Sequence, residues 1–531
     1  MRRMVALVVG LLGIPSMSIA VEIQLIDNSG LKYFINANIS ITTSSASGAM
    51  SNATYTHAVA ASTVNGGTTM AALSDAFDGF YAVIVNGTVY ANNGPMAGKP
   101  PIGTECPGPN TAMNRQVVFN PQTIGNLEVS RKVFVPDNDA FARWNNIITN
   151  VGSGTEHVIV STSCNLGSDA ATRIVTTSAG DATVTIADTW VTTFDNYTPS
   201  VGQTTTDPRL GHVLQGPGTV NVPLKTISFV NGNDTPTWSY EWDLAPGKTA
   251  IVVTFVTGQP SKAAAAAQAA RIVTLPSTTT QCMTPTDLSQ VVNFCALRAS
   301  GGGNQSIAPL GTTTALGGND PGDATGTWSI VGGGTGTFSP NANAPDATFT
   351  HTGGTGPVVL RWTITNGSCA PETADVTVNI TFQPLTVTKA KINLNFAKSG
   401  ADTMSWSGTL PVPAGFTTAG QTVAFDLGGV QQTFTLDAKG RAKSGSNRLR
   451  LKVRTKHRQV AAQDAKFTLT MRGSFASQLA DENLTGDANV KPAQPRTVTA
   501  IVTFDGEIFR KDEPFSYTAR AHKSGHARSS S

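Results

Sequence analysis

The sequence predicts an all-β protein of three tandem antiparallel β-sandwich modules, with one Ala-rich helix closing the first. Three observations lead there. Apolar and polar residues alternate with period two through most of the chain, the repeat of a strand with one buried face. Turn formers are abundant (52 Gly and 29 Pro in 531 residues), charged residues are only 13%, and Thr, Ser, Val and Asn are common. Only residues 260–275 read as a clear helix, and the length exceeds what one core serves, which suggests three domains.

The first twenty residues have the form of a secretory signal. Arg2 and Arg3 precede an apolar run at 5–14, and Ser18-Ile19-Ala20 gives a small-x-small cleavage site. No later apolar run reaches the ~20 residues needed to span a bilayer. The expectation is a secreted, extracellular or cell-surface protein with no transmembrane segment after signal removal. Five cysteines in an oxidising compartment permit disulfides but leave at least one thiol over or paired between chains. None is spaced C-x-x-C, so no metal or redox site is expected.

The first module, 21–275, is read as strands separated by short turns. Leu127, Val129, Val133 and Val135 fall on one face. Residues 141–149 and 155–163 read as a hairpin about 150–154. Residues 173–177 and 183–187 flank a turn at 179–181, and 237–243 and 249–256 flank 245–248. Within 260–275, Ser261 is placed to N-cap, residues 263–267 are all Ala, and Arg271 suits the C-terminal end of the helix dipole.

The segment 115–275 resembles a known family through "RQVVFNPQTIGNLEVSRKVFVP", "FARWNNIITN", "CNLGSD", "LGHVLQGPG" and "LAPGKTAIVVTFV". It is similar to a β-rich module of large secreted bacterial proteins, itself similar to the supersandwich of galactose-mutarotase-like domains. The family brings no catalytic residues to carry over. Cys164 departs from it, standing where a small or polar residue is expected, so a disulfide there would be particular to this protein.

Residues 276–302 read as a Ser/Thr-rich linker with a short apolar patch at 291–297. The unit 303–382, with "GTWSIVGGGTGTFSPNANAPDATFTH" and "VVLRWTITNGSCAPETADVTVNI", resembles PKD/immunoglobulin-like repeats of bacterial surface proteins. That resemblance implies a disulfide between Cys295 and Cys369, with Cys282 as the competing partner for Cys295. The unit 384–521 is expected to be a third β-sandwich. Gly428-Gly429 and Asp505-Gly506 mark hairpins. "INLNFAKSGADTMSWSGTLPVPAGF" and "VAFDLGGVQQTFTLDAKGRAKSG" resemble a C-terminal module of bacterial extracellular proteins with no assigned activity. Residues 522–531 are expected to form a disordered tail.

Strings that imitate active sites do not hold up. Gly247-Lys248-Thr249 lacks the glycine of a phosphate loop, since Trp242 stands five positions earlier. The runs 301–303 and 332–334 lack a following helix, and neither H-E-x-x-H nor G-x-S-x-G occurs. Sugar hydrolysis needs two carboxylates in one cleft. Asp75, Asp78, Glu128, Asp207 and Glu241 are candidates by type only. Trp144, Trp190, Trp238 and Trp242 are candidate sugar-stacking faces, although large aromatics in a sandwich usually fill the core. Asp207, Arg209 and His212 group in a loop-like stretch. No catalytic residue, metal ligand or cofactor is assigned.

Charge singles out the C-terminal third. Net charge is +3, yet from Pro384 onward there are 21 Lys+Arg against 11 Asp+Glu, leaving 16 against 23 in the remainder. Alternation from Arg448 to Arg458 places Arg448, Arg450, Lys452, Arg454, Lys456 and Arg458 on one face, with Leu449, Leu451 and Val453 inward. This stripe is either a solvated face protecting an edge strand or a binding surface for an anionic polysaccharide or other envelope polymer. No specific nucleic-acid partner and no oligomeric state follow from the chain. The expected function is structural or adhesive, without catalysis. The alternative is a carbohydrate-binding or carbohydrate-processing protein acting through the first module.

Overall fold

The computed structural model describes residues 22–37, 48–55, 76–91, 103–195, 209–354, 356–457 and 459–529. The expected signal segment 1–20, Asp75, Asp207 and Arg458 lie outside them. The described residues are nearly all β, with α-helices at Lys262–Ile272 and Pro285–Gln290.

The N-terminal half is built on two large sheets. An eight-stranded sheet runs in the order Thr172–Thr177, Trp190–Asp195, Arg209–Val213, Thr249–Gln259, Ala142–Asn150, Leu127–Phe134, Asn114–Ile124, Gly103–Pro107. A five-stranded sheet runs Leu224–Val230, Asn233–Leu244, Glu156–Ser163, Ala82–Val85, Thr88–Val89. Leu127, Val129, Val133, Trp144, Val160, Trp238 and Tyr240 share one core with Leu31, Tyr33 and Ile35 of a small three-stranded sheet.

Two expected hairpins are instead crossings from sheet to sheet. Ala142–Asn150 pairs within the eight-stranded sheet, whereas Glu156–Ser163 pairs with Asn233–Leu244 in the five-stranded one. The turn at 245–248 likewise leads from Asn233–Leu244 to Thr249–Gln259 across the same divide. Alternation says which face of a strand is buried but not which neighbour it pairs with, and here both sheets bury their faces in one core. A third expectation is also corrected. Residues 183–187 form no strand, and Thr172–Thr177 pairs with Trp190–Asp195. Asp188 organises the intervening loop, accepting from Thr185 N at 2.9 Å and Ser178 Oγ at 3.0 Å.

The helix Lys262–Ile272 begins as its sequence dictates, with Ser261 Oγ accepting from Ala264 N at 3.1 Å. Ala265, Ala269 and Ile272 are buried, and Ala269 and Ile272 join a second core with Phe141, Ile251, Val253 and Phe255. The Thr249–Gln259 strand is therefore covered on both sides, which explains its unbroken apolar run. Gly211 permits the close approach, because a Cβ there would lie 3.2 Å from Ala265 O and 2.9 Å from Thr257 Cγ2. Asp139 ties the helix to the sheet by accepting from Arg271, Gln268 and Thr278.

Residues 276–302 are not a free linker. The buried Arg143 donates to the carbonyls of Thr279 and Gln281 at 2.7 and 2.8 Å, and Val291, Phe294 and Ala296 belong to the helix-side core. The helix Pro285–Gln290 starts with a capping box between Thr284 and Asp287. A sequence rich in Ser and Thr reads as linker, but here its few apolar residues cover the outer face of the large sheet.

The middle region has a four-stranded sheet (Gln305–Ile307, Glu372–Ile380, Val358–Thr365, Thr325–Gly332) and a pair, Thr335–Ser339 with Thr348–Gly353. Trp328 and Trp362 are buried together, ring centroids 5.2 Å apart. Gln305–Ile307 runs parallel to Glu372–Ile380, a local departure from antiparallel order. Cys295 and Cys369 are disulfide-linked, Cα–Cα 5.6 Å, joining this region to the one before it. Cys106 and Cys282 form the second bridge, Cα–Cα 5.9 Å. Cys282 therefore does not compete for Cys295, and Cys164 is a free buried thiol, not a disulfide partner.

The C-terminal region is one 11-stranded sheet rolled around its own core of Trp406, Phe425, Leu449, Leu451, Phe467, Leu469 and Val502. Its path starts at Val430–Thr435 and ends at Arg441–Ser444, and these ends meet. Gln432 Nε2 donates to Ser444 Oγ at 3.2 Å, and Asn447 Nδ2 to Gln432 Oε1 at 2.7 Å. Near-closure leaves little open edge. The tail expected from residue 522 is corrected, since Ser524–Ser529 is a strand between Thr386–Asn395 and Glu507–Arg520. Its Ala527 is buried, so a short polar-looking segment still supplies one inward residue and a full ladder.

Candidate basic face of the C-terminal sheet

Asn447–Lys452 is the strand that carries the basic run. Leu449 and Leu451 are 3% and 1% exposed, whereas Arg448, Arg450 and Lys452 point outward. The inward leucines set the register, and the cations take the solvent side.

The stripe is shorter than its sequence pattern. The strand ends at Lys452, and Arg454 turns its backbone to a side chain, its N–H reaching Gln463 Oε1 at 3.0 Å while Gln463 Nε2 donates to Arg454 O at 2.8 Å. Lys456 then bridges Gln459, and His457 adopts φ 51°. Arg454 and Lys456 therefore do not continue the strand face, and Arg458 lies outside the described residues. The ladder ends once the backbone exchanges its strand partner for an amide side chain, which alternation cannot reveal.

Neighbouring strands supply other cations. Across the antiparallel pair with Arg441–Ser444, Arg441 stands opposite Arg450 and Lys443 opposite Arg448. Across the pair with Gln463–Gly473, Lys452 stands opposite Lys466, while Arg448 and Arg450 oppose Thr470 and Thr468. Three like-charged pairs thus face one another in register, an arrangement that destabilises a sheet. Among the described residues, none of these six cations has a carboxylate within ion-pair distance.

The surface here is concave. A groove of about 520 Å³ is lined by Arg441, Lys443, Arg448, Arg450, Thr468 and Thr470. Asp437 also lines it and accepts from the backbone N–H groups of Arg441 and Lys439, both at 2.8 Å, which together with the positive charges of Arg441 and Lys439 hold its carboxyl below the usual range. Gly440 closes that turn at φ 66°, and a Cβ there would meet Leu451 O at 2.2 Å. Arg441, Lys443 and Lys466 escaped the sequence reading because only strand pairing brings them beside Arg448, Arg450 and Lys452.

The carbohydrate candidates of the first region do not converge. Glu128 projects from the eight-stranded sheet and Glu241 from the five-stranded one, where Glu241 pairs with Lys225 at 3.1 Å and His157 at 3.2 Å. Asp78 is exposed beside Gly79 at φ 104°. Trp144 and Trp238 are core residues, while Trp190 and Trp242 are half-buried. Arg209 and His212 are not on a loop: they belong to the fully buried strand Arg209–Val213. There the His212 ring meets Thr193 Oγ1 at 2.9 Å, and burial pushes its pKa down to about 3.

No family model and no curated protein matches this sequence. Among solved structures, a polysaccharide lyase aligns over 66% of this chain and 47% of its own length, at 12% identity and TM-score 0.23. This chain thus spans about half of that lyase. A xanthan lyase from Paenibacillus aligns over 86% of this chain and 57% of its own, at 10% identity and TM-score 0.22. A candidate aldose 1-epimerase from Klebsiella pneumoniae aligns over 46% and 81%, at 8% identity and TM-score 0.24. Likeness at this level assigns no activity to this chain.

Proposed function

We propose that this chain is an exported surface or extracellular adhesion protein that binds an acidic polysaccharide through the basic face of its C-terminal sheet. One observation carries the reading: Arg441–Arg450, Lys443–Arg448 and Lys452–Lys466 oppose one another, and among the described residues none of the six has a carboxylate within ion-pair distance. A sheet that keeps such pairs gives up stability, and a polyanion laid over them relieves the repulsion and releases its own counterions. The groove adds hydroxyl donors from Thr468 and Thr470. Two disulfides fit an oxidising location.

The test is elution of the chain from an acidic-polysaccharide column along a salt gradient, beside Arg448→Ser/Arg450→Ser/Lys452→Ser. Retention that falls steeply with salt and is largely lost in the variant is the expected result. Equal elution of both proteins overturns the reading.

A further inference from the structure

The strand register extends the basic face well beyond the groove. From Lys443 and Arg448 the row of directly paired residues continues through Thr470 and Ser405 to Lys391 and Arg528. The next row runs from Arg441 and Arg450 through Thr468 and Ser407 to Lys389. Directly paired residues project from the same side of a sheet, so both rows lie on the outer face. Each reads cation, cation, hydroxyl, hydroxyl, cation, and the first ends on a further cation, Arg528. Neither contains an Asp or Glu.

Resting on the reading above, we propose that these rows are the track of the ligand: the polysaccharide crosses the strands, not along Arg448–Lys452, and its acidic sugars are separated by neutral ones. The spacing argues for this. Neighbouring strands lie about 4.8 Å apart, so three strand steps separate Arg448 from Lys391 by about 14 Å, and Arg450 from Lys389 by the same. A pyranose unit advances a chain by roughly one such step. A carboxylate shared by Lys443 and Arg448 therefore has its next counter-charge at the Lys391 and Arg528 pair, about four strand steps on, with Thr470 and Ser405 between them suited to the hydroxyls of uncharged sugars. Ser405 and Ser407 are half-buried and Thr468 and Thr470 exposed, so all four can be reached. A polymer with a carboxylate on every sugar would set its middle charges over the hydroxyls of Thr470 and Ser405.

Binding of the full chain to gellan oligosaccharides, whose uronates are separated by neutral sugars, is compared with binding to oligogalacturonates, which carry one on every sugar. The variants are Lys389→Ser/Lys391→Ser and, separately, Arg448→Ser/Arg450→Ser, with thermal melting to confirm folding. The track requires that the Lys389/Lys391 variant lose about tenfold in affinity for gellan fragments, and less than about twofold for oligogalacturonates, through lost ion contacts. Ser405→Ala/Ser407→Ala is expected to weaken gellan binding about threefold without altering its salt dependence, because no charge is removed. If the Arg448/Arg450 variant loses gellan binding while the Lys389/Lys391 variant does not, the cross-strand track is wrong and the adhesion reading stands. If the unmodified chain binds neither polymer, both fail.

Discussion

Arg450 stands directly opposite Arg441 across the antiparallel pair formed by Asn447–Lys452 and Arg441–Ser444. Both guanidinium groups face solvent over the groove, and Oδ1 of the nearby Asp437 accepts from two backbone N–H groups. Stability and ligand binding therefore make opposite demands on this pair. Arg450→Glu is expected to raise the stability of the C-terminal sheet by about 0.5–1 kcal/mol, replacing cross-strand repulsion with attraction. The same change is expected to move elution from an acidic-polysaccharide column to much lower salt. Chemical denaturation and column elution measured on one preparation check both directions; a variant that is less stable and still retained contradicts the account.

Asp27 supplies a pH dependence. It is almost fully buried and accepts from Leu31 N at 3.1 Å and Tyr33 Oη at 2.9 Å. Burial outweighs these bonds and raises its pKa from 3.8 to about 6. Between pH 4 and 6 the unfolded chain has lost this proton while the folded chain still holds it. Its contribution to stability therefore falls across that window, by about 3 kcal/mol, and is constant above it. Asp27→Asn removes the effect. Urea midpoints of the two proteins are expected to shift in the variant's favour between pH 4 and 6, and a parallel pH dependence would show that Asp27 does not titrate as described.

The cysteines give a covalent prediction. Non-reducing peptide mapping is expected to find Cys106–Cys282 and Cys295–Cys369, with Cys164 alkylated only after unfolding, since burial both shields its thiol and pushes its pKa up. The Cys295–Cys369 bridge spans a sequence separation of 74 and, through the entropy of the unfolded loop, contributes about 4 kcal/mol. Recovery of a Cys282–Cys295 peptide would contradict the arrangement.

Much of this was legible in the residues themselves. Period-two alternation identified the buried faces of Leu127–Phe134 and Asn447–Lys452, Gly428-Gly429 announced a hairpin, and Ser261 marked a helix start. Half of the basic face was visible as Arg448, Arg450 and Lys452. The other half was not, because Arg441, Lys443 and Lys466 belong to different strands and no local pattern relates them. Residues 276–302 misled for a different reason: polar composition usually means solvent, but Arg143 and the Cys106–Cys282 bridge anchor this segment to the sheet.

By itself the sequence determined that the chain is β-rich, which side of most strands faces the core, and that the C-terminal third carries the positive charge. Those are local properties, set by the two-residue period of a strand and by composition. Only the tertiary structure decided that Ala142–Asn150 and Glu156–Ser163 belong to different sheets, that the last sheet rolls until its end strands meet, and that Arg441 faces Arg450. Pairing depends on which strands the shared cores bring together, and the same inward residues are compatible with several partners until packing selects one.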